Sequence, residues 1–181
     1  SDTRWGTFWG ASAAWRLSRE KFWTEAPVNE WFNDLRLRAS YATIGNSALG
    51  SDYPYLGTYG AKLVGPMAGI AWNVMGNNNL KWETTETFDI GLDGALFNNR
   101  MTFEIAYWQK NSKDLVLRVP TPPTMGIPNN YYYDNIGKIK NSGFELTVGG
   151  TIINTKDWNW HSDINFSTVK NTVKELYGGT D

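Results

Sequence analysis

The most constraining stretch runs from Phe88 to Tyr107, FDIGLDGALFNNRMTFEIAY, where apolar and polar residues alternate, break at Asn98-Asn99-Arg100, and alternate again. A period of two sends successive side chains to opposite sides of an extended strand. The stretch therefore predicts an antiparallel hairpin with one apolar and one polar face. Two architectures accept it. In a soluble sandwich the apolar face meets a protein core; in a transmembrane barrel it meets lipid, and the polar face an aqueous interior.

Six runs along the chain follow this pattern. The first places Trp5, Trp9, Ala13, Trp15 and Leu17 opposite Gly6, Phe8, Gly10, Ser12 and Arg16, and the second Leu35, Leu37 and Tyr41 opposite Arg36 and Arg38. The third sets Phe88, Ile90, Leu92 and Leu96 against Asp89 and Asp93. The fourth sets Met101, Phe103, Ile105 and Tyr107 against Glu104 and Trp108, with a continuation through Leu115 to Val119. The fifth opposes Phe144, Leu146 and Val148 to Glu145 and Thr147, and the sixth Trp158, Trp160, Ile164 and Phe166 to His161, Asp163 and Asn165. Arg36, Arg38, Asp89, Asp93 and Glu104 all fall on polar faces. Lipid demands this, because a midplane Arg costs about 2–4 kcal/mol there; a one-sided soluble sheet demands it too, because an unpaired buried charge is prohibitive.

Length and connections separate the two better. Most runs reach about ten residues, enough to cross a bilayer at a tilt, whereas soluble strands average about five or six. Asn98-Asn99 and residues 154–157 are short turns, while residues 46–82 and 111–135 read as long loops rich in Gly, Pro, Asn and Tyr. Short turns at one end and long loops at the other characterise outer-membrane barrels. The seventeen-residue link from Ser18 to Asp34 departs from strict alternation and suits a small helical turn with Phe22, Trp23, Trp31 and Phe32 packed at an interface. Ten Trp, nine Tyr and eight Phe fit a membrane girdle or a sugar-binding surface equally. The net charge of −1 gives no basis for nucleic-acid binding, and the absence of cysteine excludes disulfides and thiol chemistry. The opening SDTRWGTFWG has no basic n-region and no apolar h-region and is not expected to be a signal peptide, and no apolar run of about 18 residues occurs in the sequence.

Particular strings go further. NNNLKWETTETFDIGLDGALFNNRMTFEIAYWQKNSKDLVL (77–117) resembles a portion of the SusC/RagA-type TonB-dependent outer-membrane transporters, with Leu80, Lys81, Trp82, Glu83, Thr84 and Thr85 in their motif and Asn78 where a proline is usual. Downstream, Asn135, Gly137, Asn141, Gly143, Glu145, Trp158 or Trp160, Asn165, Ser167 and Asn171 match the family's next portion in order. The resemblance covers nearly the whole chain. It implies an all-β fold: about six antiparallel strands of a larger barrel of about 22 strands. The expectation is an internal fragment, residues 1–181, without the plug, the TonB-contacting segment or the last strand. What it implies about function is nutrient import across the outer membrane of a Gram-negative cell, of glycan or peptide fragments. A SusD-like lipoprotein, TonB, an oligosaccharide or peptide substrate and outer-membrane lipid are the implied partners. The alternative is a soluble secreted β-sandwich that binds carbohydrate.

No catalytic, cofactor or metal site is expected. His161 stands alone, the carboxylates scatter over separate strands, and Asn77–Asn79 lacks the spaced acidic pattern of a calcium loop. Tyr53, Tyr55, Tyr59, Tyr131, Tyr132 and Tyr133 are the candidate ligand or partner contacts in extracellular loops, since a phenol offers both a flat apolar face and a hydroxyl. Arg36, Arg38, Asp89, Asp93 and Glu104 are expected to face the lumen.

Overall fold

A computed structural model describes residues 5–47 and 55–177. Six strands, β1 (Gly10–Arg16), β2 (Phe32–Asn46), β5 (Glu83–Leu96), β6 (Met101–Pro120), β7 (Tyr131–Asn154) and β8 (Asn159–Glu175), form one antiparallel sheet in the order β1-β2-β5-β6-β7-β8. Two more, β3 (Thr58–Val64) and β4 (Met67–Val74), make a separate hairpin. This corrects the expectation of an unbroken loop over residues 46–82. The second long loop shrinks as well, to residues 121–130, because β6 runs on to Pro120 and β7 starts at Tyr131. The link between β1 and β2 holds a short helix, α1 (Lys21–Thr24), between two 3-10 turns, with Trp23 edge-on to Phe32 at 6.1 Å and Trp15 edge-on to Phe22 at 6.3 Å.

The ladders fix which residues stand level. One row reads Trp15, Leu37, Leu92, Ile105, Leu146, Phe166, and the next on the same face Ala13, Ala39, Ile90, Tyr107, Phe144, Thr168. Among the described residues no second layer covers this face. Phe88 and Ile90 are each 39% exposed, and the buried apolar residues among those described are Leu35, Leu80, Ala95, Ala106, Val119 and Ile127. A soluble domain of this length would need a sizeable core. Here apolar side chains form a band on one side of a single sheet instead.

The upper border of that band is aromatic on every strand. Moving toward the long-loop end, the last apolar residue before a polar one is Tyr41 on β2, Phe88 on β5, Tyr107 on β6, Phe144 on β7 and Phe166 on β8. Just ahead of β1, Trp9 takes the same place, held opposite Thr43 by a 2.8 Å hydrogen bond from the Thr43 amide to its carbonyl. The border also crosses the ladders obliquely. The β8 position level with Trp9 is Thr172, six residues beyond Phe166. Six residues span roughly 20 Å along a strand and five inter-strand spacings roughly 24 Å, so the border meets the strands at about 40° from the perpendicular. Transmembrane barrel strands tilt by about 35–45°. The aromatic border is therefore a straight line in the membrane plane, written across tilted strands.

Candidate functional site

On the polar face the sequence-predicted charges converge. Cross-strand pairing sets Arg38 of β2 opposite Gly91 of β5, with Asp89 and Asp93 two residues to either side and Glu104 on β6 opposite Asp93. The Arg38 guanidinium donates to Asp89 at 3.1 Å, to Asp93 at 3.2 Å and to Glu104. Arg36 donates twice to the other Asp93 oxygen, at 2.9 and 2.6 Å, while Arg16 binds Asp34 through two nitrogens. All five predicted residues thus meet in one network. It borders an open basin of about 720 Å³, lined by Arg16, Asp34, Arg36, Arg38, Asp93 and Glu104 among others.

Glycine makes the centre of this network possible. A Cβ at Gly91 would lie 2.7 Å from Arg38 Nε, so the guanidinium lies flat across bare backbone. The same device recurs at Gly143, where a Cβ would come within 2.6 Å of the Trp108 ring. Trp108 lies down over that glycine and donates Nε1 to Glu145 at 2.9 Å. His161 approaches Thr151 at 3.2 Å and Asp163 at 3.3 Å, and no group of three or more possible metal ligands occurs among the described residues.

At the long-loop end the tyrosines separate. Tyr53 lies outside the described residues. Tyr59 stacks on Trp72 across the hairpin at 4.0 Å, and Tyr55 is half-buried just before β3. Tyr131, Tyr132 and Tyr133 open strand β7 and do not sit in a loop, which corrects their expected place. Tyr131 and Tyr133 meet edge-on at 5.6 Å, with the Arg118 guanidinium 4.8 and 6.0 Å from their ring centres. A hydrogen bond with the Tyr133 side chain, then the electrostatic pull of the Tyr131 and Tyr133 oxygens, raises the Arg118 pKa. Tyr132 pairs with Val119, which is buried. Strand β4 lies beside residues 128–130, so both long connections gather at this end.

Sequence reasoning matched Asn135, Lys81 and Glu83 to motifs without giving them roles. They form a latch. The Asn135 side chain accepts from the Lys81 amide at 2.9 Å and donates to the carbonyls of Lys81 (2.9 Å) and Asp114 (2.6 Å). Lys81 Nζ reaches Asp114 at 2.9 Å, Glu83 accepts from the Val116 amide and from Asn46, and Asn77 donates to the Tyr133 carbonyl and Asp134. One amide side chain thus stands in for the ladder where a bulge puts Asp114 at φ +57°. Removing it strands backbone groups, so Asn135→Ala is expected to speed hydrogen exchange at the Lys81 amide by about tenfold or more while leaving the mid-strand amides of β5 unchanged.

The chain was compared with known proteins. The family model described as "TonB dependent receptor-like, beta-barrel" matches residues 1–181. TonB-dependent receptor P26 of Formosa agariphila is 34% identical, covering 99% of this chain and 18% of the relative. TonB-dependent receptor SusC of Bacteroides thetaiotaomicron is 31% identical, again over 99% of this chain and 18% of its own length. Among solved structures, the RagAB peptide importer in its 'closed-closed' state superposes with a TM-score of 0.82 at 30% identity, over 99% of this chain and 19% of that one. The chain spans about a fifth of the length of the relatives it matches.

Proposed function

The chain belongs to the TonB-dependent receptor-like β-barrel family, whose members are outer-membrane transport proteins and not enzymes, and from that premise we propose that its six-stranded sheet is part of the wall of a nutrient importer. The apolar band faces hydrocarbon, and Arg36, Arg38, Asp89, Asp93 and Glu104 face the water-filled interior. The short turns lie on the periplasmic side and the β3–β4 hairpin and the Tyr131–Tyr133 segment on the cell surface. One observation carries this reading: an uncovered apolar band whose upper border is an aromatic residue on every strand, along a line tilted as a membrane plane would be.

The interior network suits a wall. Ion pairs this exposed are individually weak, roughly 0.2–1 kcal/mol each, but they hold long side chains in one arrangement beside a wide passage. The cargo is a glycan or peptide fragment. A SusD-like lipoprotein meets the surface loops, where Tyr55, Tyr59 and Tyr131–Tyr133 offer phenol faces, and TonB engages parts of the polypeptide beyond this segment. That RagAB is named a peptide importer supports the peptide half of this cargo class.

Fractionating cells that express the full-length protein tests the reading. Recovery in the outer-membrane fraction, extractable only by detergent and running faster on gels unheated than boiled, is the expected result; recovery in soluble periplasm or medium overturns it. Co-purification of a surface lipoprotein in mild detergent is the expected result for the partner, and its absence from the purified importer removes that partner alone.

A further inference from the structure

The apolar face does not end in neutral residues everywhere. Beyond the aromatic border, the same face of β7 and β8 continues as Ser142, Lys140 and Thr168, Lys170. Lys140 stands four residues past Phe144 and Lys170 four past Phe166, so both lie at one height above the border. The ladder pairs Lys140 with Thr172 and Ser142 with Lys170, which makes the two lysines diagonal neighbours, about 7–8 Å apart along the backbone. Nearby cations on this face are already neutralised: Lys113 by Glu86 at 2.7 Å and Lys138 by Glu175. Lys140 and Lys170 make no ion pair among the described residues. A chain with a net charge of −1 thus gathers unneutralised cations at one height on its outward side.

We propose that Lys140 and Lys170 form a site for a phosphomonoester on a lipid headgroup of the outer leaflet, an inference that rests on the membrane reading above. Lysine ammoniums are compact charges suited to phosphate, and two of them bracket one dianionic group. Their height, one polar residue above the aromatic border, is where headgroups begin. The Phe144 and Phe166 rings below them receive the acyl chains of the same lipid. Carboxylates that would repel a phosphate are few here: Glu175 and Glu86 are each bound to their own lysine.

The test uses the full-length protein, purified from outer membranes and exchanged into detergent, with native mass spectrometry against lipid A carrying its phosphate and lipid A from which it has been removed. The phosphorylated lipid is expected to bind about thirty-fold more tightly, from two lysines at a surface anion. K140Q/K170Q is expected to erase that difference, and K156Q, in the turn at the opposite end, to keep it. Equal binding of both lipids to the wild-type protein overturns the site and needs no variant to fold. Displacement of lipid A by millimolar inorganic phosphate overturns its lipid assignment. In either case a protein that still inserts into outer membranes leaves the importer reading standing.

Discussion

Leu92→Arg is expected to destabilise the barrel by about 2–4 kcal/mol, or to prevent its assembly, while Thr102→Arg on the other face changes stability by less than about 1 kcal/mol. Leu92 sits midway between Phe88 and Leu96 on β5, on the uncovered apolar face. An arginine there reaches neither border without dragging charge through hydrocarbon. Thr102 is exposed on the face that carries Glu104, so the same guanidinium finds water and a carboxylate. Unfolding by denaturant in lipid vesicles reads the difference directly. A larger cost at Thr102 than at Leu92 would mean that the faces are assigned the wrong way round, and equal costs that no membrane is involved.

The second large effect is a coupling. Gly91→Ala is expected to cost about 2 kcal/mol in the wild-type background, because its methyl group enters the space of Arg38 Nε and breaks the geometry of three charge-assisted hydrogen bonds. Arg38→Ala should cost a similar amount, since it leaves Asp89, Asp93 and Glu104 close together with Arg36 as their remaining cation. The double variant should cost little more than Arg38→Ala alone, because the methyl then has nothing to displace. A double-mutant cycle showing an interaction energy above about 1 kcal/mol supports this account, and additive losses refute it.

Much of this architecture was legible in the chain because alternation survives wherever one face is apolar and the other charged. Strands β2, β5, the first half of β6 and the second half of β7 meet that condition, and their faces fell where parity put them. The hairpin β3–β4 was missed for a physical reason. In TYGAKLV and MAGIAWNV apolar and small residues occupy both faces, broken by Lys62 and Asn73, so they present little contrast to read. The far end of β8, STVKNTVKE, fails in the opposite way: above the apolar band both faces are mostly polar. The continuation of β6 to Val119 was legible although the bulges between Ser112 and Val116 break its period of two, whereas the first half of β7, YYYDNIGKIKNS, offers no one-sided apolar face to read.

The candidate site was legible as a list of charges but not as an arrangement. Arg38 meets partners 51, 55 and 66 residues away, and only the register decides which carboxylate it faces. The glycine beneath it carries no signal of its own in a single sequence. Asn135 was visible as a motif position, yet its work depends on a bulge in a neighbouring strand that composition does not reveal.

Large residues laid down on Gly91 and Gly143 have a further effect on the proposed passage. An arginine or tryptophan standing upright would narrow the bore, and at different heights would turn it into a sieve with ragged teeth. Pressed against bare backbone, they become paving. The calibre offered to a solute is then set by the number and slant of the strands, and changes to these long residues alter the chemistry of the floor far more than the clearance above it.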